Sequence, residues 1–180
     1  LFSTLCKILS QFPNLFNNLN ATNRRLLEDH RDLQQPDTYT VFAPTNAAFD
    51  RVVLPFGLEI DFEKENFTAD EKPIVRFILK YHISANTRFF DHLECDEKLQ
   101  TKNGEQSQTR CSTNGKEEEI KFQVGQTSPL FGDDDDKQVI GLLEPKIVSA
   151  DVPASNGVLH VINNVIVPDL TDLIPDPGPA

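Results

Sequence analysis

The sequence contains no tryptophan, no methionine, two tyrosines and three cysteines in 180 residues. With no initiator methionine, a fragment of a longer protein or a processed chain is expected. Positive charge is scarce: 17 Lys and Arg stand against 28 Asp and Glu, a formal net charge of −11. The longest basic run is Arg24-Arg25. Nucleic acid is held by clustered cations on a phosphate backbone, so it is not expected as a partner. Anionic lipid is disfavoured for the same reason. No run approaches the roughly 18 apolar residues that a membrane-spanning helix needs, so no direct membrane insertion is expected. The apolar opening Leu1–Leu9 is broken by Lys7 and has no basic lead, which marks an amphipathic helix rather than a signal peptide.

What is present is ordinary globular material. Apolar residues make up 38% and charged residues 25%, and 13 phenylalanines can fill one core. Cys95 and Cys111 flank a segment that reads as two strands around a turn. They are expected to pair, closing a loop worth roughly 3 kcal/mol, with Cys6 buried and reduced on the first helix. Three reduced cytosolic cysteines are the alternative. Two Asn-x-Thr triplets, at Asn20 and Asn66, are candidate glycosylation sites and point outside the cell.

Phe2, Leu5, Cys6, Leu9 and Phe12 fall at helical spacing, and Pro13 ends that helix. A second short helix would carry Leu15, Phe16 and Leu19, followed by polar chain with Leu26 and Leu27. Tyr39–Ala43 is β-prone; Pro44 stops it, and Thr45 or Asn46 can cap a helix through Phe49. Thr68 and Glu71 have capping-box spacing before a helical run through Ile74, Ile78 and Tyr81. Strands then dominate. Asn103-Gly104, Asn114-Gly115 and Asn156-Gly157 are turn dipeptides, Ile120, Phe122 and Val124 alternate, and 147–148, 158–162 and 165–167 are β-branched runs. Helices followed by strands predict an α+β fold. Residues 169–180, rich in Pro and Asp, read as a linker.

Three ordered blocks carry a resemblance to a known family. Thr40–Phe49 resembles the first signature block of fasciclin-type (fasciclin I-like) adhesion domains, Leu79–Ile83 their central Tyr-His motif, and Asn156–Pro168 their second signature block. The resemblance covers residues 1–168 as one domain. It implies a twisted β-sheet wedge packed with several α-helices, secreted or at the cell surface. It implies adhesion or matrix binding, with a cell-surface receptor, matrix protein or glycan as partner and homophilic contact between copies as a further option. Tyr81 and His82 match the segment implicated in integrin recognition in some members. Burial of both rings in the core is the competing reading. A spacer domain in a tandem array, with no ligand site of its own, is the alternative function. The chain departs from the family pattern in a long 21–37 connection, an apparent insertion at 125–137, the Cys95/Cys111 pair, and the lack of an Arg-Gly-Asp triplet.

No enzyme context is visible. His30, His82, His92 and His160 show no metal-ligand spacing, so neither a metal site nor a cofactor is expected. There is no GxSxG, Walker A or GxGxxG. Asp133–Asp136 could gather Ca²⁺, but counting from Asp133 an EF-hand would need Gly at 138, where Gln stands. A solvated acidic loop is the plainer reading, as is a solvent-facing strand start for Glu117–Glu119.

Overall fold

A computed structural model describes residues 2–13, 15, 38–52, 54, 58–113, 118–126 and 144–173. The second helix expected after Pro13, the Asn20 sequon, Leu26 and Leu27, Asn114-Gly115 and Asp133–Asp136 lie wholly or mostly outside these residues.

Helix α1 (Ser3–Ser10) buries Thr4 and Ile8, and Leu5 and Leu9 pack beside them. Cys6 is exposed, contrary to expectation. It lies two residues from both Thr4 and Ile8, and residues two apart on a helix do not share a face. Strand β1 (Tyr39–Pro44) runs into helix α2 (Asn46–Phe49). The Thr45 side chain makes no capping bond to α2. Asn46 instead caps α1: its Oδ1 accepts the Thr4 N–H at 3.2 Å and its Nδ2 donates to Ser3 Oγ at 2.6 Å. An orphan amide of one helix is thus satisfied from another.

Helix α3 (Glu71–Tyr81) is preceded by the expected capping box. The Thr68 N–H donates to Glu71 Oε2 at 2.8 Å, and the Glu71 N–H to Thr68 Oγ1 at 3.2 Å. Strands β2 (Ile83–Ala85), β3 (Lys98–Gln100), β4 (Gln106–Thr113), β5 (Glu119–Val124), β6 (Ile147–Ala154) and β7 (Gly157–Ile162) form two sheets. One has the order β2-β1-β7-β6, with β1 and β7 parallel; the other is the antiparallel β3-β4-β5. Both of their edges are stitched together. Ser84 bridges Thr101, and Phe122 bridges Lys146. Lys102 N donates to Ile83 O at 2.8 Å, and Gln123 N to Pro145 O at 2.9 Å. The result is an α+β fold in which two short sheets meet edge to edge.

Two buried clusters follow from the alternation along β1. Tyr39 joins a helix-side cluster with Ile8, Phe49, Val75 and Ile78, whereas Phe42 joins an inter-sheet cluster with Tyr81, Leu93, Leu99 and Ile162. Phenylalanines supply much of the first: the Phe49–Phe62, Phe12–Phe67 and Phe62–Phe67 ring centroids lie 5.3, 6.3 and 6.4 Å apart. Leu170, in the segment read as linker, is fully buried in it. The core therefore extends past residue 168.

β5 inverts the usual pattern. Lys121 and Gln123 are buried, whereas Ile120 and Phe122 are only partly so. The buried side is satisfied by partners. Gln123 accepts from Thr109 Oγ1 at 3.0 Å and donates to Ser107 Oγ at 2.7 Å. Lys121 Nζ donates to Phe90 O and Leu93 O at 2.9 and 2.8 Å. Residues 165–167 form no strand; the Ile166 N–H goes to a side chain instead, as described next. Cys95 and Cys111 form a disulfide with a Cα–Cα distance of 5.4 Å. It ties the loop after a 3₁₀ turn (Phe90–His92) to β4.

Candidate functional site

Tyr81 and His82, the sequence's candidate binding pair, sit where α3 turns into β2, and both are buried. Tyr81 donates its hydroxyl to Gln106 O at 2.7 Å and accepts the Gln126 N–H at 3.1 Å. Burial raises its pKa far above the ordinary tyrosine range. His82 is bonded at both ring nitrogens, Nδ1 to Ile78 O at 2.8 Å and Nε2 to the Ile166 N–H at 2.9 Å. That pairing requires the neutral ring with its proton on Nδ1, and burial lowers its pKa to about 4. Neither side chain offers a free polar atom to a partner. Their bonds hold α3, β4 and the chain after β7 together.

Among the described residues, the large exposed apolar side chains lie elsewhere. Phe89, Val148 and Val152 are 46%, 50% and 41% exposed. Among the described residues, β6 ends the four-stranded sheet, and its pairing with β7 is broken by two register shifts. Asp151 occupies the second irregularity at φ 59°, left-handed backbone that Asp tolerates. Its Oδ1 accepts the Phe90 N–H at 2.8 Å. His160, wholly buried on β7, joins the same two segments from beneath: Nε2 donates to Arg88 O at 2.8 Å, and Nδ1 accepts the Asp151 N–H at 3.3 Å. Burial lowers its pKa, which keeps it neutral and able to play both parts. One histidine and one aspartate thus tie the Arg88–Phe90 segment to β6. No local sequence pattern marks these exposed side chains. His160 sits in the second signature block, but single exposed Phe and Val residues have no signature.

The remaining candidates do not converge. Asn66 is exposed, as a modified asparagine must be, while Phe67 beside it is buried. His92 is exposed, and His82 and His160 are each occupied by backbone. Among the described residues, the one group close enough to hold a metal is Cys95, Cys111 and Glu119, and its two sulfurs are joined to each other. No helix among those residues is long and apolar enough to cross a membrane.

The family model of the fasciclin domain matches residues 2–168. Over 136 residues the chain is 27% identical to the transforming growth factor-beta-induced protein ig-h3 of Sus scrofa, covering 76% of this chain and 15% of that protein. Over 80 residues it is 38% identical to the aurofusarin biosynthesis cluster protein S of Gibberella zeae, covering 44% of this chain and 18% of that one. The matched stretch is thus less than a fifth of either relative. A solved FAS1 domain pair from the insect cell adhesion molecule fasciclin I superposes with a TM-score of 0.56 at 15% identity, covering 91% of this chain and 43% of the pair. That likeness concerns the fold.

Proposed function

The chain belongs to the fasciclin domain family, and from that membership we propose that it is an adhesion module, secreted or held at a cell surface, that binds a protein or glycan partner rather than catalysing a reaction. The observation that carries this reading is the family match across nearly the whole chain, joined to the cell-adhesion role in the name of the fasciclin I structure. Partner contact is assigned to Phe89, Val148 and Val152. Large exposed apolar side chains are the kind of anchor that binding surfaces use. Contact is through side chains rather than strand addition, because the register shifts and Pro153 blunt the β6 edge. Tyr81 and His82 act as positioning residues, and Asn20 and Asn66 as glycan carriers.

The test is cell attachment to the purified chain coated on a surface, with its self-association measured in parallel by sedimentation. Attachment is expected for the wild type and for Lys98→Ala, and a large loss is expected for folded Phe89→Ser and Val152→Lys. Attachment that survives both substitutions overturns the assigned surface. No attachment and no self-association by the wild type overturns the binding role and favours a spacer between other domains.

A further inference from the structure

A cavity of about 190 Å³ lies within the helix-side layer. Leu9 of α1, Val41 of β1, Val75 and Ile78 of α3 and Leu159 of β7 line it. Among the described lining residues, His82 alone carries a polar side chain. Both of its ring nitrogens are already bonded to backbone, one to Ile78 O and one to the Ile166 N–H. The cavity therefore presents apolar surface and no unused donor or acceptor among these side chains. Water needs two to four polar partners to settle in such a space, and none is offered by them. An apolar cavity of about 150 Å³ already stays dry and takes up benzene or xenon.

We propose that this cavity is a binding site for a small apolar molecule, a single-ring aromatic or compact hydrocarbon without hydrogen-bonding groups. Selectivity follows from what the wall lacks. A hydroxyl on the ligand would be buried without a partner, so a phenol should bind worse than a hydrocarbon of the same size. Leu159 pairs with Val152 across β7 and β6, so occupancy is read apart from adhesion at Val41, Val75 and Ile78.

The experiment is methyl NMR of the whole chain titrated with toluene, then with phenol, followed by thermal unfolding at each ligand concentration. Saturable shifts are expected at the methyls of Val41, Val75, Ile78 and Leu159, with a melting temperature that rises with toluene. Phenol should bind about tenfold more weakly or worse. Leu159→Phe and the milder Val41→Ile both reduce the space and should each weaken toluene binding. If Leu159→Phe does not fold, the wild-type titration and Val41→Ile still decide. The proposal is overturned if the shifts do not saturate or fall instead on the Val148 methyls. It is equally overturned if phenol matches toluene, or if the folded variants bind as the wild type does.

Discussion

The two buried clusters are built on different physics, although β1 and α3 contribute to both. The helix-side cluster is aliphatic and aromatic, and its members are fixed by shape and volume. The inter-sheet cluster is smaller, and buried polar side chains surround it: Ser107, Thr109, Lys121, Gln123 and His160. There each group is held by a specific partner, so the geometry is specified by hydrogen bonds as much as by packing. The apolar layer tolerates a cavity of about 190 Å³. The polar region has no comparable latitude, because an unpaired buried group costs roughly 1–3 kcal/mol.

The largest expected effect tests the apolar side. Ile8→Ala removes a fully buried side chain from the helix-side cluster and should cost about 2–5 kcal/mol in denaturant unfolding. Cys6→Ser, two residues away but exposed, should change stability by less than about 0.5 kcal/mol. Equal losses at the two positions would mean that the helix is not seated as described.

Acid should act on both clusters next. His82 and His160 are neutral in the fold, with pKa values held below 6.5 by burial. The unfolded chain therefore binds more protons once the pH falls below 6.5, and stability drops as the pH falls from there toward about 4. The His82 contribution alone amounts to about 3 kcal/mol when fully expressed. Glu144 works against this. Burial raises its pKa to about 7, partly offset by Arg110, so its folded form takes up a proton first and gains on acidification. Glu144→Gln should therefore steepen the acid loss between pH 6.5 and 4.5, as measured by melting temperature against pH. A flatter profile in that variant would contradict the burial of the carboxyl.

Much of this division was legible beforehand, and the limits are physical. The 3.6-residue spacing of Ile74, Val75, Ile78 and Tyr81 located α3, and Thr68 with Glu71 located its start, because both signals are local. The turn at Asn156-Gly157 was equally local. A Cβ at Gly157 would collide with the Tyr39 carbonyl, so the position has no room for another residue. The reversal of β5 was not legible. Lys121 and Gln123 go inward because Phe90 O, Leu93 O, Ser107 and Thr109 await them, and those partners lie elsewhere in the sequence. The exposed edge was hidden for the same reason. The 88–90 segment and β6 are joined through Asp151 and His160, and no local pattern marks that contact.

Gln123 isolates the polar side at smaller scale. Gln123→Leu strands the Thr109 hydroxyl, so a loss of about 1–3 kcal/mol is expected. Adding Thr109→Val removes the stranded group too, so the double variant should lose less than the sum of the single ones. Simple additivity in a double-mutant cycle would show that the buried pair is uncoupled and would erase the distinction between the clusters.

The smallest effect concerns the helix that joins them. α3 sends Val75 and Ile78 to one cluster and Tyr81 to the other, and its first turn is closed by Thr68 and Glu71. Thr68→Ala removes the hydroxyl cap and should cost about 1 kcal/mol. The same substitution destroys the Asn66-Phe67-Thr68 sequon, so a stability change alone could come from a lost glycan. Asn66→Gln separates the two causes, since it removes the sequon and leaves the cap intact. If Asn66 carries a glycan, both variants made in a secreting host migrate faster than the wild type, but only Thr68→Ala should melt earlier when all are produced without glycosylation. Thr68→Ser keeps both the hydroxyl and the sequon and should match the wild type in both assays. Equal melting of Thr68→Ala and Asn66→Gln in the unglycosylated proteins would remove the cap from the account of how α3 is anchored.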